Sequence, residues 1–318
     1  MCRLVNVQET KTLYYLITNV LGHASCALRI SGPDAYTYLQ GQFTQDLDHP
    51  PGLAAYGLWL NQKGRVVADG FVLRLHDNDF IAVSGESPAN VVRERLESYL
   101  VADEVTISDH TQALGRVAVI DDDGAALRAF GPVPEVGKFL ALPGGQVFRG
   151  RNARGLNVEY WLETTAIPDL TRRLRDAGAR EVEAGLFDAA RIEAGRPKVP
   201  GDLGPNDLPN EGGIEGDAIS YTKGCFLGQE VMARLKNLGQ VRRRLHVVRG
   251  PGAAPAHGSA LFASEKKAGE VRTSAATPDG FVAMAMLALI PLASEKMLAR
   301  SADGATDIAI AGLAGGAA

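Results

Sequence analysis

The stretch Lys223-Gly224-Cys225-Phe226-Leu227-Gly228-Gln229-Glu230 is the densest grouping of chemically capable residues in the chain, and the segments on either side of it are its most unusual neighbours. Helical spacing is read from Cys225 to Lys236. A cysteine at a helix start feels the positive end of the helix dipole, and Lys223 adds a second positive charge; both favour thiolate over thiol. Cys225 with Lys223 is therefore the candidate catalytic pair, set against the usual fate of a lone cysteine as a small buried hydrophobe. Gly224 reads as a close backbone approach to a ligand or a positive-φ turn.

Immediately before this stretch, Gly201 to Thr222 carries five acids, five glycines and two prolines with no Lys or Arg. That composition predicts a long irregular loop, and long loops inside compact proteins are usually functional. Immediately after it the charge inverts. Residues 223–249 hold seven Lys and Arg against Glu230, a local charge of +6, suited to a polyglutamate tail or RNA phosphates unless it is only a solvated face. Val241 to Val248 then alternates as a strand, 251–257 is a Pro/Ala/Gly linker, and short strands over 269–274 and 281–289 predict a small β domain whose Gly/Ala tail frays.

Upstream, Arg191-Ile192-Glu193-Ala194-Gly195 ends a helix spanning roughly 186–194. Glu193 is either a solvated charge or a fixed carboxylate able to accept paired N–H donors from a flat heterocycle such as a pterin. Asp69 lies within a strand over 65–75, where aspartate is a poor fit; facing inward, it must be paired or bind something. That strand forms a hairpin with 55–60 through the turn Asn61-Gln62-Lys63-Gly64. Ser31-Gly32-Pro33-Asp34 opens a helix to about Asp46, Ser87-Pro88 another to about Leu100, and 168–177 a third stopped by Gly178. Strands are expected over 26–30, 80–83, 104–107, 115–120, 139–142, 146–149 and 157–162. Asp121-Asp122-Asp123-Gly124 reads as a solvated turn rather than a metal loop. Leu13 to Leu21 reads as an N-terminal strand or short helix in preference to a leader ahead of Cys26.

Length and composition fit this outline. With 318 residues, two or three domains are expected; 46% hydrophobic and 22% charged residues exclude a disordered or fibrous chain. A net charge of −4 disfavours nucleic-acid binding by the whole surface. The 36 glycines and 16 prolines point to loop-rich α+β or β-rich domains. Cys2, Cys26 and Cys225 show neither a disulfide framework nor zinc spacing, so a reduced, cytoplasmic setting without metal is expected. No apolar run is long enough for a membrane span. Triad, HExxH, Walker and GxGxxG motifs are absent.

Taken together, Lys223 to Glu230, Arg191 to Gly195 followed by Pro209-Asn210-Glu211, Ser31-Gly-Pro-Asp34 with Leu39-Gln-Gly-Gln-Phe-Thr-Gln-Asp46, and Leu60-Asn-Gln-Lys-Gly-Arg65 resemble the YgfZ-type folate-binding proteins, relatives of the glycine-cleavage T-protein (aminomethyltransferase). The resemblance runs over about residues 25–290. It implies an α+β, T-protein-like ring of three domains around a central cavity: a discontinuous first domain over 1–50 and 110–240, a ferredoxin-like second domain over 51–109, and a C-terminal β-barrel over 241–318. It also implies tetrahydrofolate or a derivative in the cavity and iron-sulfur proteins as clients, including enzymes that modify tRNA. Glu193, Asp69, Glu211, Gly224, Gln229, Glu230 and Arg234 are then the candidate folate contacts. Three departures from the family pattern stand out: Phe226 for tyrosine, Asn210 for glutamine, and Ala68 where T-proteins pair a second aspartate with the first. The expected function is a folate-dependent accessory protein for iron-sulfur cluster biogenesis or repair. A true aminomethyltransferase and a non-enzymatic tRNA-binding module are the alternatives.

Overall fold

The computed structural model describes residues 13–18, 25–263, 266–289, 297–301 and 304–315. The chain begins with strand β1 (Leu13–Thr18), followed by β2 (Cys26–Ser31), helix α1 (Ala35–Gln42), β3 (Ala54–Leu60), β4 (Val66–His76), β5 (Asp79–Ser84), α2 (Ala89–Glu97) and β6 (Thr106–Asp109). Next come β7 (Leu114–Asp121), α3 (Ala125–Phe130), β8 (Phe139–Leu142), β9 (Gly145–Arg149), β10 (Leu156–Glu163), α4 (Ile167–Asp176), β11 (Arg180–Glu181) and α5 (Ala184–Glu193). Short helices α6 (Pro209–Gly212) and α7 (Glu215–Ala218) and helix α8 (Gln229–Leu238) lead to β12 (Arg243–Gly250), β13 (Ala260–Ala263), β14 (Lys266–Thr277), β15 (Gly280–Ala288), β16 (Met297–Ser301) and β17 (Gly304–Leu313).

These strands make a five-stranded sheet in the order β3-β4-β5-β2-β6, a six-stranded sheet in the order β11-β1-β7-β10-β9-β8, and a closed barrel β12-β15-β14-β13-β16-β17. Period-2 alternation in β4 explains how the first sheet serves two purposes. Ala68 and Val72 point into a core with Leu39, Phe43 and Trp59 under α1 and α2. Their neighbours Asp69 and Phe71 therefore point to the opposite face. On that face the two sheets meet through Leu73, Ile81 and Val83 on one side and Phe148 and Trp161 on the other. Each of these side chains contributes about 1.5–3 kcal/mol by leaving water. Helices α3 and α4 cover the far side of the six-stranded sheet, where Leu127, Leu170 and Leu174 pack on Tyr15, Val117 and Val119. Outward-facing Leu245, Val247, Met284 and Met286 of the barrel join the β3–β4 hairpin, Ile192 and Phe226 in a further core.

Four expectations need correction. Strand β2 sits between β5 and β6, so residues 26–50 belong with the five-stranded unit, and only β1 from the N-terminal region joins the six-stranded one. Nothing local in a strand specifies its neighbour. Helix α8 starts at Gln229, not Cys225, because the chain first buries Phe226 and then turns through Gly228 at φ 87°. The 201–222 segment is not structureless: it contains α6 and α7, with Asp202, Leu203, Asp207 and Glu211 buried. The Gly/Ala tail, expected to fray, is held as far as Leu313 by β17, which pairs with β12 and β16 and closes the barrel; 316–318 lie outside the described residues. The sequence reading also missed α3, β11, β13, β16 and β17.

Candidate functional site

A cavity of about 330 Å³ opens between the two sheets, with α5 as its third wall. Tyr56, Asp69 and Phe71 come from the β3–β4 hairpin, Arg116 and Glu159 from neighbouring strands of the six-stranded sheet, and Asp188 from α5. Asp69 accepts hydrogen bonds from the Tyr56 hydroxyl at 2.9 Å and the Ser87 hydroxyl at 3.0 Å. Burial pushes its pKa up to about 6, against the opposing pull of those two donors and of Arg151. It is thus a carboxylate at neutral pH that takes a proton in mild acid.

The opposite wall is held rigid. Arg116 donates from Nε and Nη2 to the two Glu159 oxygens, both contacts at 2.9 Å, and Asn152 and Trp161 also donate to that carboxylate. Burial works against the Glu159 charge, but Arg116 holds its pKa below the usual carboxylate range. Asp188 behaves in the same way: burial opposes its charge, yet Arg191 and Lys198 keep its pKa low. Arg191 also binds Asp202 at 2.7 Å and Thr273 of the barrel at 2.9 Å, which locks α5 against β14.

The expected site residues fall in four places. Asp69 lines the cavity. Glu193 does not; it is partly exposed beside the barrel, 3.1 Å from Arg249, and borders a separate pocket with Tyr14 and Phe281. Cys225, Gln229 and Glu230 border an open surface depression with Gln42 and Gln62, and Arg234 is exposed on α8. Glu211 is buried as a fastener: Arg243 donates to it at 2.9 Å and the Leu208 amide at 2.8 Å.

The Cys225 environment also differs from expectation. Its thiol is exposed four residues before α8, outside the reach of that helix terminus. The Lys223 ammonium points into the protein and donates to the carbonyls of Phe43 at 2.8 Å and Gln45 at 2.9 Å. Burial pushes its pKa down to about 8. A Cβ at Gly224 would meet open space, so neither close approach nor a left-handed turn requires glycine there. Gly228 is the constrained position: a Cβ on it would lie 3.0 Å from the Asn61 carbonyl and 3.2 Å from Gly64 Cα. The sequence-distant Asn61–Arg65 turn and the Lys223–Glu230 stretch are therefore pressed together through two glycines.

Two of the seven cations in the +6 segment, Arg243 and Arg244, are paired by the acidic loop that precedes it, and others are engaged elsewhere. Arg243 pairs with Asp207 and Glu211, Arg244 lies 3.7 Å from Glu215, Arg249 pairs with Glu193, and Lys236 stacks over Tyr221. Arg234 and Arg242 stay exposed, so the seven cations are divided among separate contacts rather than presented as one continuous phosphate-binding patch.

The reading of single positions missed Tyr56, Arg116, Arg151, Glu159, Asp188 and Lys198. A usable signal existed for two of them. Arg116 and Glu159 are opposite charges inside the apolar strands Leu114–Asp121 and Leu156–Glu163, which is the same anomaly that singled out Asp69.

The cavity residues fit a flat, nitrogen-rich heterocycle. Asp69 is available to accept N–H donors, while Tyr56, Phe71 and Phe187 supply apolar walls. Two sheets enclosing such a cavity, with a barrel against one side, define a T-protein-like fold. Residues 24–121 match the GCVT N-terminal domain family, and 242–310 match the CAF17 C-terminal beta-barrel domain. The crystal structure of the glycine cleavage system aminomethyltransferase T from Bartonella henselae aligns with a TM-score of 0.80 at 17% identity, covering 94% of this chain and 85% of that one. The tRNA-modifying protein YgfZ of Klebsiella pneumoniae (strain 342) is 30% identical over 231 residues, 70% of this chain and 68% of its own. The mitochondrial iron-sulfur cluster assembly factor IBA57 of Homo sapiens is 28% identical over 286 residues, 82% of this chain and 74% of its own. The chain belongs to the YgfZ family.

Proposed function

We propose that this protein is a folate-dependent accessory factor in the assembly or repair of iron-sulfur clusters, and through those clusters supports enzymes that modify tRNA. The observation that carries the folate part is Asp69, a buried carboxyl facing a cavity walled by aromatic rings. Tetrahydrofolate would place its pterin N–H edge against Asp69, with Tyr56 and Ser87 fixing the carboxylate's orientation. Glu193 would contribute only indirectly, through the packing of α5. The client part is supported by the names of its relatives, an iron-sulfur cluster assembly factor and a tRNA-modifying protein.

Cys225, exposed beside Gln42 and Gln62, is the thiol that a client would meet; its reactivity would come from exposure rather than from Lys223. Free Cys26 and Cys225 agree with a reducing compartment such as the cytoplasm. No helix among the described residues is long and apolar enough to cross a membrane. Ala68 is buried on the opposite face of β4, so no second carboxylate adjoins Asp69 on that strand, which favours binding over aminomethyl transfer.

Calorimetric titration with tetrahydrofolate tests the reading. Wild type should bind saturably, Asp69→Asn about tenfold or more weakly, and Glu193→Ala nearly as well as wild type. Absence of heat in the wild type would remove folate from the function.

A further inference from the structure

On the far side of Tyr56 and Arg151 lies a second chamber, of about 590 Å³, open to the surface. The two chambers share Tyr56, Phe71 and Arg151 as a partition, with the Arg151 guanidinium 3.6 Å from the centroid of the Tyr56 ring. The outer chamber is lined by Arg149, Arg151, Arg154 and Arg196, against the acids Asp46 and Asp217. One of those acids is already shared: Arg151 and Arg196 both donate to Asp217 Oδ2 at 2.8 Å. The other, Asp46, accepts from the Gln40 side chain and the Asp48 amide. Neither carboxylate serves Arg149 or Arg154.

Arg149 is the anomaly. It is half-buried at the end of β9, its Nε is shielded from water, and among the described residues that atom has no hydrogen-bond partner. Burial disfavours its charge, and its charged neighbour Arg128, of like sign, adds to that. A guanidinium nitrogen shielded from water without a partner is costly, and an anion reaching it from the chamber would complete the site. The loop that carries Arg151 and Arg154 is fixed in place. Buried Asn157 accepts from the Asn152 amide and donates to the carbonyls of Ala153 and Gly155, so residues 150–155 are positioned before any ligand arrives.

The geometry points to the outer chamber as a binding site for a small multivalent oxyanion, carboxylate or phosphate, gripped by Arg149 and Arg154. Guanidinium forks match both groups in bidentate fashion, and a concave pocket of this size suits a compact group rather than an extended polymer backbone. This site stands on its own residues and does not depend on folate in the inner cavity.

Two probes separate the sources of such an anion: inorganic phosphate and a synthetic triglutamate peptide. Calorimetry on the full chain at low salt should show saturable binding of at least one. Preference for phosphate identifies a phosphate-bearing ligand, and preference for triglutamate a polycarboxylate arm. The dissociation constant should rise about tenfold or more in Arg149→Gln, a few-fold in Arg154→Gln, and not at all in Lys63→Gln, which removes one exposed charge elsewhere. The saturating anion should also raise the melting temperature of wild type, and that rise should vanish in Arg149→Gln. Should Arg149→Gln fail to fold, Arg154→Gln, exposed at the chamber mouth, carries the test alone. Absence of saturable binding to wild type, or affinity equal in wild type and the arginine variants, overturns the proposal.

Discussion

The cavity around Asp69 and the surface around Cys225 are built in opposite ways. The cavity gathers single residues from the β3–β4 hairpin, β5, β7, β10 and α5, none of which looks unusual beside its sequence neighbours except as a charge in an apolar strand. The Cys225 surface is one contiguous run, conspicuous in sequence, yet in space it is an open depression whose lysine faces inward. Density of polar residues along the chain thus marks a place where segments are fastened together, while the enclosed, charge-matched environment arises where distant segments meet. If that contrast is right, cavity substitutions should act through preorganisation and proton binding, and motif substitutions mainly through backbone fit and buried hydrogen bonds.

The largest effect should come from the cavity wall. Arg116→Met leaves Glu159 buried with only Asn152 and Trp161 as donors, and should cost about 3–5 kcal/mol in urea denaturation. Replacing both partners with apolar residues should restore much of that loss. A cost under about 1 kcal/mol for Arg116→Met would mean that the pair does not hold the cavity in shape.

Next is the pH dependence set by Asp69. Its folded pKa, about 6, lies above the ordinary carboxylate value, so the folded state binds this proton more tightly than the unfolded chain does. The stability this provides is complete below about pH 4 and is lost as pH rises through about 6, by at most about 3 kcal/mol. Asp69→Asn has no such slope. Urea midpoints measured from pH 4 to 7 should therefore converge at the acid end and separate toward neutrality, with the variant the more stable; parallel curves would contradict the assignment.

A smaller effect is expected at Lys223. Lys223→Met leaves the carbonyls of Phe43 and Gln45 without their donor and should cost about 1–3 kcal/mol, whereas Cys225→Ala should change stability by less than about 0.5 kcal/mol. If Lys223→Met is as stable as wild type, its role lies at the thiol after all, and thiol alkylation rates should then fall in the same variant.

How much of this the sequence could show follows from the range of each signal. The Asn61–Gly64 turn, the strand over 65–75 and the stop at Gly178 are local, and each was legible. Asp69 was legible because an aspartate inside an apolar strand is a conflict visible without a partner. The placement of β2 was not, since its alternation suits either sheet and only long-range pairing with β5 and β6 decides. Nor could composition show that the acidic 201–222 segment and the basic run after it are joined, because that depends on Arg243 reaching back to Asp207 and Glu211. Charge blocks adjacent in sequence carry no signal of which of their members meet, and here only Arg243 and Arg244 of the basic run reach acids of the loop.

The finest test separates two glycines four residues apart in the same motif. Gly228 has φ 87°, and a Cβ there would press on the Asn61 carbonyl, Gly64 Cα and the Leu60 side chain, so the turn could accept alanine only by moving backbone. Gly224 has no such φ, and its Cβ direction is empty. Gly228→Ala should therefore lower stability by about 1–2 kcal/mol, while Gly224→Ala should be neutral to slightly stabilising, because alanine narrows the unfolded ensemble where the native backbone tolerates it. Denaturation of the two variants side by side distinguishes a motif maintained for fit against the β3–β4 turn from one maintained for ligand approach at Gly224. In the second case Gly224→Ala would keep its stability and lose ligand or client binding, and the surface around Cys225 would regain the role that its geometry alone does not give it.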